Sequence, residues 1–157
     1  MAYTYNPKEV SINVLGYEIE GWVSCTVDRD EDETAEQRGA DGTLSTTINS
    51  NEGGMINLEV LQEAEANAFV EGLSRIRQST GALPKFVFQV VDPSGGVLET
   101  MEGVYLKRAA GSSVAATAGT KTHVFYAEKI LKLPVPEGYA DAASKLANVE
   151  ALLGSLG

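Results

Sequence analysis

The sequence predicts a mainly β protein: two packed antiparallel sheets, as a β-sandwich or open barrel, flanked by one mid-chain helix and followed by a C-terminal helix. Three observations carry this. Apolar and polar residues alternate at period two through residues 10–20 and 44–60, the pattern of strands with one buried and one wet face. Only residues 63–78 and 139–156 switch to a helical period. Turn residues (Gly, Asn, Asp, Pro) punctuate the remainder into six or seven strands, so strands dominate and a helix covers one side.

Residues 1–9 form an N-terminal arm, because proline disfavours helix just ahead of itself and nothing before Pro7 is periodic. Val10, Ile12 and Val14 alternate with Ser11 and Asn13, "LG" turns the chain, and Tyr17 and Ile19 oppose Glu18 and Glu20; this is a first hairpin. Trp22, Val23, Cys25 and Val27 continue as a strand that leaves it. Residues 28–42 then read as a long acidic loop. Asp28, Asp30, Glu31, Asp32, Glu33, Glu36 and Asp41 against Arg29 and Arg38 leave it at −5, half of the chain's −10. A loop of that length without structure of its own is functional or disordered, and something outside the subunit is expected to order it.

Leu44, Thr46 and Ile48 alternate with Ser45, Thr47 and Asn49, and Ile56, Leu58 and Val60 with Asn57 and Glu59. Joined by "SNEGG", these read as a central hairpin with the first set of each strand buried and the second wet. From Glu63 to Gln78, Ala64, Ala68, Phe69, Leu73 and Ile76 share a helical face, and Phe69, Leu73 and Ile76 are expected to be buried. Gly81 and Pro84 close the helix. Gly72 inside it costs up to ~1 kcal/mol against Ala, which predicts close packing onto a sheet.

"KFVFQVV" is apolar on both sides, as a fully buried strand is. "DPSGG" is a turn and "VLETMEGVYLKRA" the returning strand. Residues 110–119 are a small-residue loop, read as mobile. "TKTHVFYAEKILKL" is the last long strand, stopped by Pro134 and Pro136. In the tail, Ala143, Leu146, Ala147, Val149, Leu152, Leu153 and Leu156 fall at helical spacing, on a helix that must dock on its own subunit or a neighbour. No linker divides residues 1–157, so one domain is expected.

At 157 residues and 43% hydrophobic, the chain can bury about two thirds of its unfolded surface. Its start lacks the basic and apolar regions of a signal peptide, and no run approaches the ~20 apolar residues of a membrane span, so no membrane association is expected. One cysteine allows no internal disulfide and no Cys-based zinc cluster; Cys25 reads as a small buried hydrophobe. A pI near 4.5 argues against gripping nucleic acid, which needs Lys and Arg on phosphates, but not against letting DNA pass.

Catalytic and metal patterns fail on spacing. Against an EF-hand loop starting at Asp28, Glu33 stands where the sharp turn needs Gly and Gly39 where the bidentate Glu must stand. His123 lies in a strand with no catalytic partners and reads as structural. Gly111 and Gly119 before Thr120 and Lys121 lack phosphate-loop spacing. Glu18/Glu20 and Glu99/Glu102 show no apolar pocket that would split their pKa values. No enzyme and no cofactor is expected.

The early "INVLGYEIEGW", the long stretch "DRDEDETAEQRGADGTLSTTINSNEGGMINLEVL" and the following "EANAFVEGLSRI" resemble the tail tube proteins of contractile-tailed bacteriophages, over about residues 10–133. The resemblance, shared by tailocin and type VI secretion tubes, implies two packed sheets flanked by a helix and six subunits closing an inner barrel into a ring. It implies rings stacking into a tube inside a contractile sheath. Partners are then other copies of the chain, the sheath, and the baseplate and terminator proteins at the tube ends. DNA passes without specific binding, and the protein resides in the virion tail after assembly in the host cytoplasm. On this reading Asp28, Arg29, Asp30, Glu31, Asp32, Glu33, Glu36, Arg38 and Asp41 stack ring on ring, while Ser45, Thr47, Asn49, Asn57 and Glu59 face the lumen. The alternative from another class is a monomeric β-sandwich binding module, for instance for carbohydrate, but only Tyr3, Tyr5 and Tyr139 read as exposed aromatics.

Overall fold

The computed structural model of the chain describes residues 6–92, 97–112, 114–132 and 140–156. After a 3-10 turn at Pro7–Glu9, capped by Asn6, come β1 (Ser11–Val14), β2 (Tyr17–Glu18), β3 (Trp22–Arg29), β4 (Thr34–Arg38), β5 (Leu44–Ile48) and β6 (Gly54–Leu61). There follow α1 (Glu65–Thr80), β7 (Phe86–Asp92), β8 (Val97–Arg108), β9 (Thr120–Ala127), β10 (Lys129–Lys132) and α2 (Ala140–Leu156). The fold is mainly β, with one large antiparallel sheet and one small one, and the large sheet is not a closed barrel. Its order is β2-β1-β7-β8-β9-β6-β3, with β10 also on β8; β4 and β5 pair only with each other.

The large sheet folds back over a single core because β8 serves two neighbourhoods. Its first part pairs with β7 and β10 and its last part, Tyr105 to Arg108, with β9. β9 and β10 are one strand interrupted at Glu128, since Tyr126↔Tyr105 and Lys129↔Glu102 keep one register. The interruption lies where Gly103 takes φ +63, a left-handed turn of the backbone. Folded this way, Phe86 and Phe88 of β7 meet Phe125 of β9 at ring centroids of 6.0 and 5.6 Å. Ile12, Val14, Ile56, Leu58, Val60, Met101 and Val104 complete the layer.

The first hairpin forms as its alternation predicts: Ile12, Val14 and Ile19 are buried, and Leu15 and Gly16 turn at positive φ. Several expectations fail. "KFVFQVV" is half-buried, with Phe86, Phe88 and Val90 inside but Val87 and Gln89 exposed, because one face of β7 meets no second layer. Of the expected face of the helix only Leu73 is buried, alongside Ala66 and Val70; Ala68 and Ile76 are exposed and Phe69 is half-buried, stacked on Tyr17 at 4.7 Å. The Ala68 and Ile76 pattern places the apolar arc about a third of a turn away from the true contact, which runs 66, 70, 73. Gly72 has open space around it, so close packing is not its reason. Gly81 does close α1, in the left-handed conformation at φ 73, its N–H on the Arg77 carbonyl. α2 forms, yet its apolar side chains stay largely uncovered, Leu146 at 46% and Leu156 at 77% exposure. Tyr3, Tyr5, Tyr139, Pro134, Pro136 and the last four residues of the "DPSGG" turn lie outside the described residues.

The central hairpin is rearranged. β5 pairs with β4, not β6, and β6 lies between β3 and β9. Close approach of the β3 backbone and the Ile130 side chain imposes Gly54 at the start of β6: a Cβ there would stand 2.1 Å from the Asp28 carbonyl oxygen and 2.8 Å from Ile130 Cδ1. No other residue leaves room for β3 and β10 at that point.

Candidate functional site

Residues 28–42 are not an unstructured loop. β3 runs on to Arg29, and Thr34–Arg38 form β4, antiparallel to β5 with Thr34↔Ile48 and Arg38↔Leu44 in register. The turn is built by "GADGT". Gly42 at φ 88 donates its N–H to the Gly39 carbonyl (3.0 Å), the Asp41 carboxylate accepts the Thr43 N–H (3.0 Å), and Arg38 Nη1 donates to the Gly42 carbonyl (3.0 Å). That Thr43 hydrogen bond also holds the Asp41 carboxyl below its ordinary pKa. An Asp-Gly dipeptide between extended segments is a strong hairpin signal, and it is the cue that marks this element in the sequence.

Every residue from Asp30 to Ile48 is exposed, so the expected burial of Leu44, Thr46 and Ile48 fails. The period-two pattern survives on a free-standing two-stranded ribbon. One face carries Thr34, Glu36, Arg38, Leu44, Thr46 and Ile48, and the other Ala35, Gln37, Ser45 and Thr47. Ile48 is 83% exposed, an apolar side chain with no cover from its own subunit.

The root of this acidic hairpin is held by polar contacts. Tyr126 of β9 donates its hydroxyl to Asp30 Oδ2 at 2.5 Å, a bond that, with some burial, pushes the phenol up to about 12. Asp30 N–H donates to the Gly53 carbonyl (3.1 Å) and Arg29 Nη2 to the Asn51 carbonyl (3.3 Å). Asn49 and Asn51 both donate to Glu31 Oε2, and Arg29 approaches Glu33 at 3.7 Å. Asn49 and Asn51 also turn the chain from β5 into β6 by accepting the N–H groups of Asn51 and Gly53. So Asp28, Arg29, Asp30, Glu31, Glu33 and Asn49 gather at the root, Glu36 and Arg38 lie on the ribbon, and Asp41 shapes its tip. Asp32 makes no hydrogen bond or ion pair with other described residues.

The remaining singled-out residues sit on the open face of the β3–β6–β9 sheet. Asp28, Asn57 and Glu59 point away from the core beside Ser24 and Thr26, and Ser24 Oγ donates to Glu59 Oε2 at 3.2 Å. Ser45 and Thr47 are on the ribbon instead, so the structure does not join all five wet-side residues in one surface.

Beneath that sheet His123 is fully buried. Its Nδ1 accepts the Ala110 N–H (3.0 Å), which leaves the proton on Nε2 to donate to Asn67 Oδ1 (2.8 Å). Asn67 Nδ2 in turn donates to the carbonyls of Leu61 (2.8 Å) and Gln62 (3.0 Å). Burial lowers the imidazole pKa and keeps the ring neutral. The ring pins α1 to β6 and β9, a structural role in keeping with its setting in the sequence. Asn67 is the residue the helical pattern concealed, since a buried polar side chain looks like the wet face. Cys25 is half-buried against the core, its thiol pushed up to about 12 chiefly by burial and so unreactive. Glu102 and Glu99 stand across from Lys129 and Lys132, ordinary cross-strand neighbours. Among the described residues no three His, Cys, Asp or Glu side chains converge as metal ligands. The apolar gap between α1 and β7 measures about 10 Å³, room for at most one water.

No protein-family model matches the sequence, and no curated protein matches it significantly. Solved structures do match. The fold is similar to a chain of the tube-terminating cap of the anti-feeding prophage, with TM-score 0.59 and 10% identity over 83% of this chain and 91% of that one. It is similar to a chain of the sheath–tube complex of the PVC extracellular contractile injection system in its extended state, with TM-score 0.59 and 12% identity over 85% and 93%. It is similar also to a chain of the sheath/tube terminator of that system, with TM-score 0.56 and 8% identity over 85% and 99%. The fold of this chain is therefore similar to that of chains from the tube-terminating cap, the sheath–tube complex and the sheath/tube terminator of these assemblies.

Proposed function

We propose that the chain is a non-catalytic tube subunit: six copies close a ring, and rings stack into the inner tube of a contractile tail or related injection particle. The observation that carries this is the half-sheet β8–β9–β6–β3. One face rests on the core, the other is uncovered, and both edges are open: β3 pairs only with β6, and β8 beyond Val104 only with β9 among the described residues. Open edges are templates for further pairing. Joining β3 of one copy to the end of β8 in the next is a head-to-tail contact, which closes a ring when its rotation permits.

In such a ring the uncovered face lines the bore. Ser24, Thr26, Asn57 and Glu59 give it a polar, mildly acidic wall that repels a duplex carrying one charge per ~1.7 Å. Screening confines that repulsion to ~8 Å at physiological salt, so the wall prevents sticking and supplies no motive force. Ser45, Thr47 and Asn49 reach the bore only if the acidic hairpin curves inward along the adjacent ring. The hairpin, exposed from Asp30 to Ile48, is the stacking element, with Arg38 on its open ribbon turned to carboxylates of the next ring and Arg29, already held by Asn51 and Glu33, reaching them only at the root. The outer surface meets the sheath, and the tube ends meet baseplate and terminator proteins. The particle is a virion tail assembled in the host cytoplasm, with DNA as cargo, or a tailocin or secretion-type device delivering an effector. Size-exclusion chromatography with negative-stain microscopy tests the reading: rings or tubes support it, and a species of 16.6 kDa at every concentration refutes it.

A further inference from the structure

The half-sheet has two unlike ends. At one, Arg29, Gly54 and Ala127 lie side by side and the acidic hairpin departs. At the other, Trp22 pairs with Val60 and Leu61 with Thr120, and β8 stops short of it at Arg108, which pairs with Val124 level with Asn57 midway along β6. A cleft of about 370 Å³ opens at this far end. Gln62 closes one side of it, accepting the Gly119 N–H at 2.9 Å, and Arg108 and Lys121 line it with no carboxylate among the lining residues. In a chain of net −10 such a surface is an exception. Lys121 is partly engaged, 3.4 Å from Glu71. Arg108 is exposed and makes no hydrogen bond or ion pair with other described residues.

We propose that this cleft receives the acidic hairpin of a second copy, carboxylates of Asp32 and Glu36 meeting Arg108 and Lys121. The inference rests on the stacking reading above and deepens it by naming the receiving surface. Copies stacked in one orientation bring the hairpin end of one half-sheet to the far end of the next, a heterologous contact that repeats along the tube. The charges match: the hairpin region from Asp28 to Gly42 carries −5, and its Asp32 has no partner among the described residues while Glu36 accepts only from Thr34 of its own strand. A 370 Å³ cleft holds carboxylate side chains and not a ribbon, so the ribbon lies across the mouth. There Leu44 and Ile48, on the same face as Glu36, lose water in the contact.

The test mixes isotopically light and heavy copies of the wild-type protein, lets them assemble, and applies a zero-length carbodiimide cross-linker. Lys121–Glu71 within one copy is the internal control. The proposal expects links from Asp32 or Glu36 of one isotope to Lys121 of the other, in the pelleted assembly only. Arg108→Glu is expected to cut pelleted tubes about tenfold or more while sparing rings, with added Glu36→Arg restoring them. Tubes that form while the hairpin carboxylates link elsewhere, or that withstand Arg108→Glu, overturn the proposal and leave the tube reading intact. If Arg108→Glu does not fold, the wild-type links decide. A wild-type chain that never assembles removes the stacking reading and this inference with it, and sedimentation shows that before any cross-link is made.

Discussion

Replacing Asn67 by Ala removes a side chain whose hydrogen bonds join α1 to both β6 and β9. Its Oδ1 accepts from His123, which has no exposure to water, so the imidazole Nε2–H loses its only partner. Leaving a buried donor unmade costs about 1–3 kcal/mol, and the Leu61 and Gln62 carbonyls, nearer the surface, add a smaller amount each. The expected loss is on the order of 3 kcal/mol, a large fraction of a domain's ~5–15 kcal/mol. Urea unfolding followed by Trp22, the single tryptophan and half-buried against the core, measures it. With a slope of about 2 kcal/mol per molar, the midpoint should fall by about 1.5 M at unchanged slope. A loss under about 1 kcal/mol would show that His123 finds another acceptor and that the pair does not tie the helix down. The same site sets an acid sensitivity. The unfolded imidazole takes its proton near 6.5 and the buried one only at lower pH, so below about pH 7 the unfolded state binds more protons. Stability therefore falls as pH drops through that window, by at most ~1.4 kcal/mol per unit, until the folded pKa is passed.

Gly54→Ala places a methyl group where backbone already stands, and the variant is expected to be insoluble or to lose several kcal/mol by thermal unfolding; a normal melt would show that β3 and β10 can part at Gly54. Tyr126→Phe removes the bond to Asp30, and amide exchange through 30–48 should quicken in the isolated subunit while the core amides hold; equal protection would mean the root is held without it. Deleting 140–157 should leave the melting temperature of the body unchanged within about 2 °C, because α2 keeps its leucines exposed; a large drop would reveal that the helix covers the core.

The parts legible in the sequence are those whose side-chain pattern is decided within the element. Ile12, Val14 and Ile19 announce their hairpin because the same alternation that defines the strands is buried by the fold. β4 is illegible by that route: "TAEQR" has low strand preference and no buried face, and only the Asp-Gly turn behind it betrays the ribbon. The partner of β5 was ambiguous for a physical reason, since Leu44 and Ile48 alternate equally well against β4 or β6 and the choice depends on the Asn49 and Asn51 turns. The contact face of α1 lies about a third of a turn from the face its apolar pattern marks, because Asn67, polar and buried, sits on the contact while Ile76, apolar and exposed, sits off it. Of the assembly residues, the charge concentrated in 28–42 was plain, but its arrangement as root, ribbon and tip follows from contacts to Gly53 and Tyr126 that are distant in sequence. Arg108 is illegible in the sequence because a lone arginine at a strand end acquires meaning only beside Gln62 and Lys121, which the fold brings to the same cleft.

A cryo-electron-microscopy reconstruction of the assembled particle tests the central claim most directly. The account predicts a ring of six copies in which β3 of each pairs with the end of β8 in its neighbour, Asn57 and Glu59 line the bore, and the acidic hairpin bridges to the adjacent ring. A particle whose Asn57 and Glu59 face outward, or whose copies meet through other edges, would contradict it.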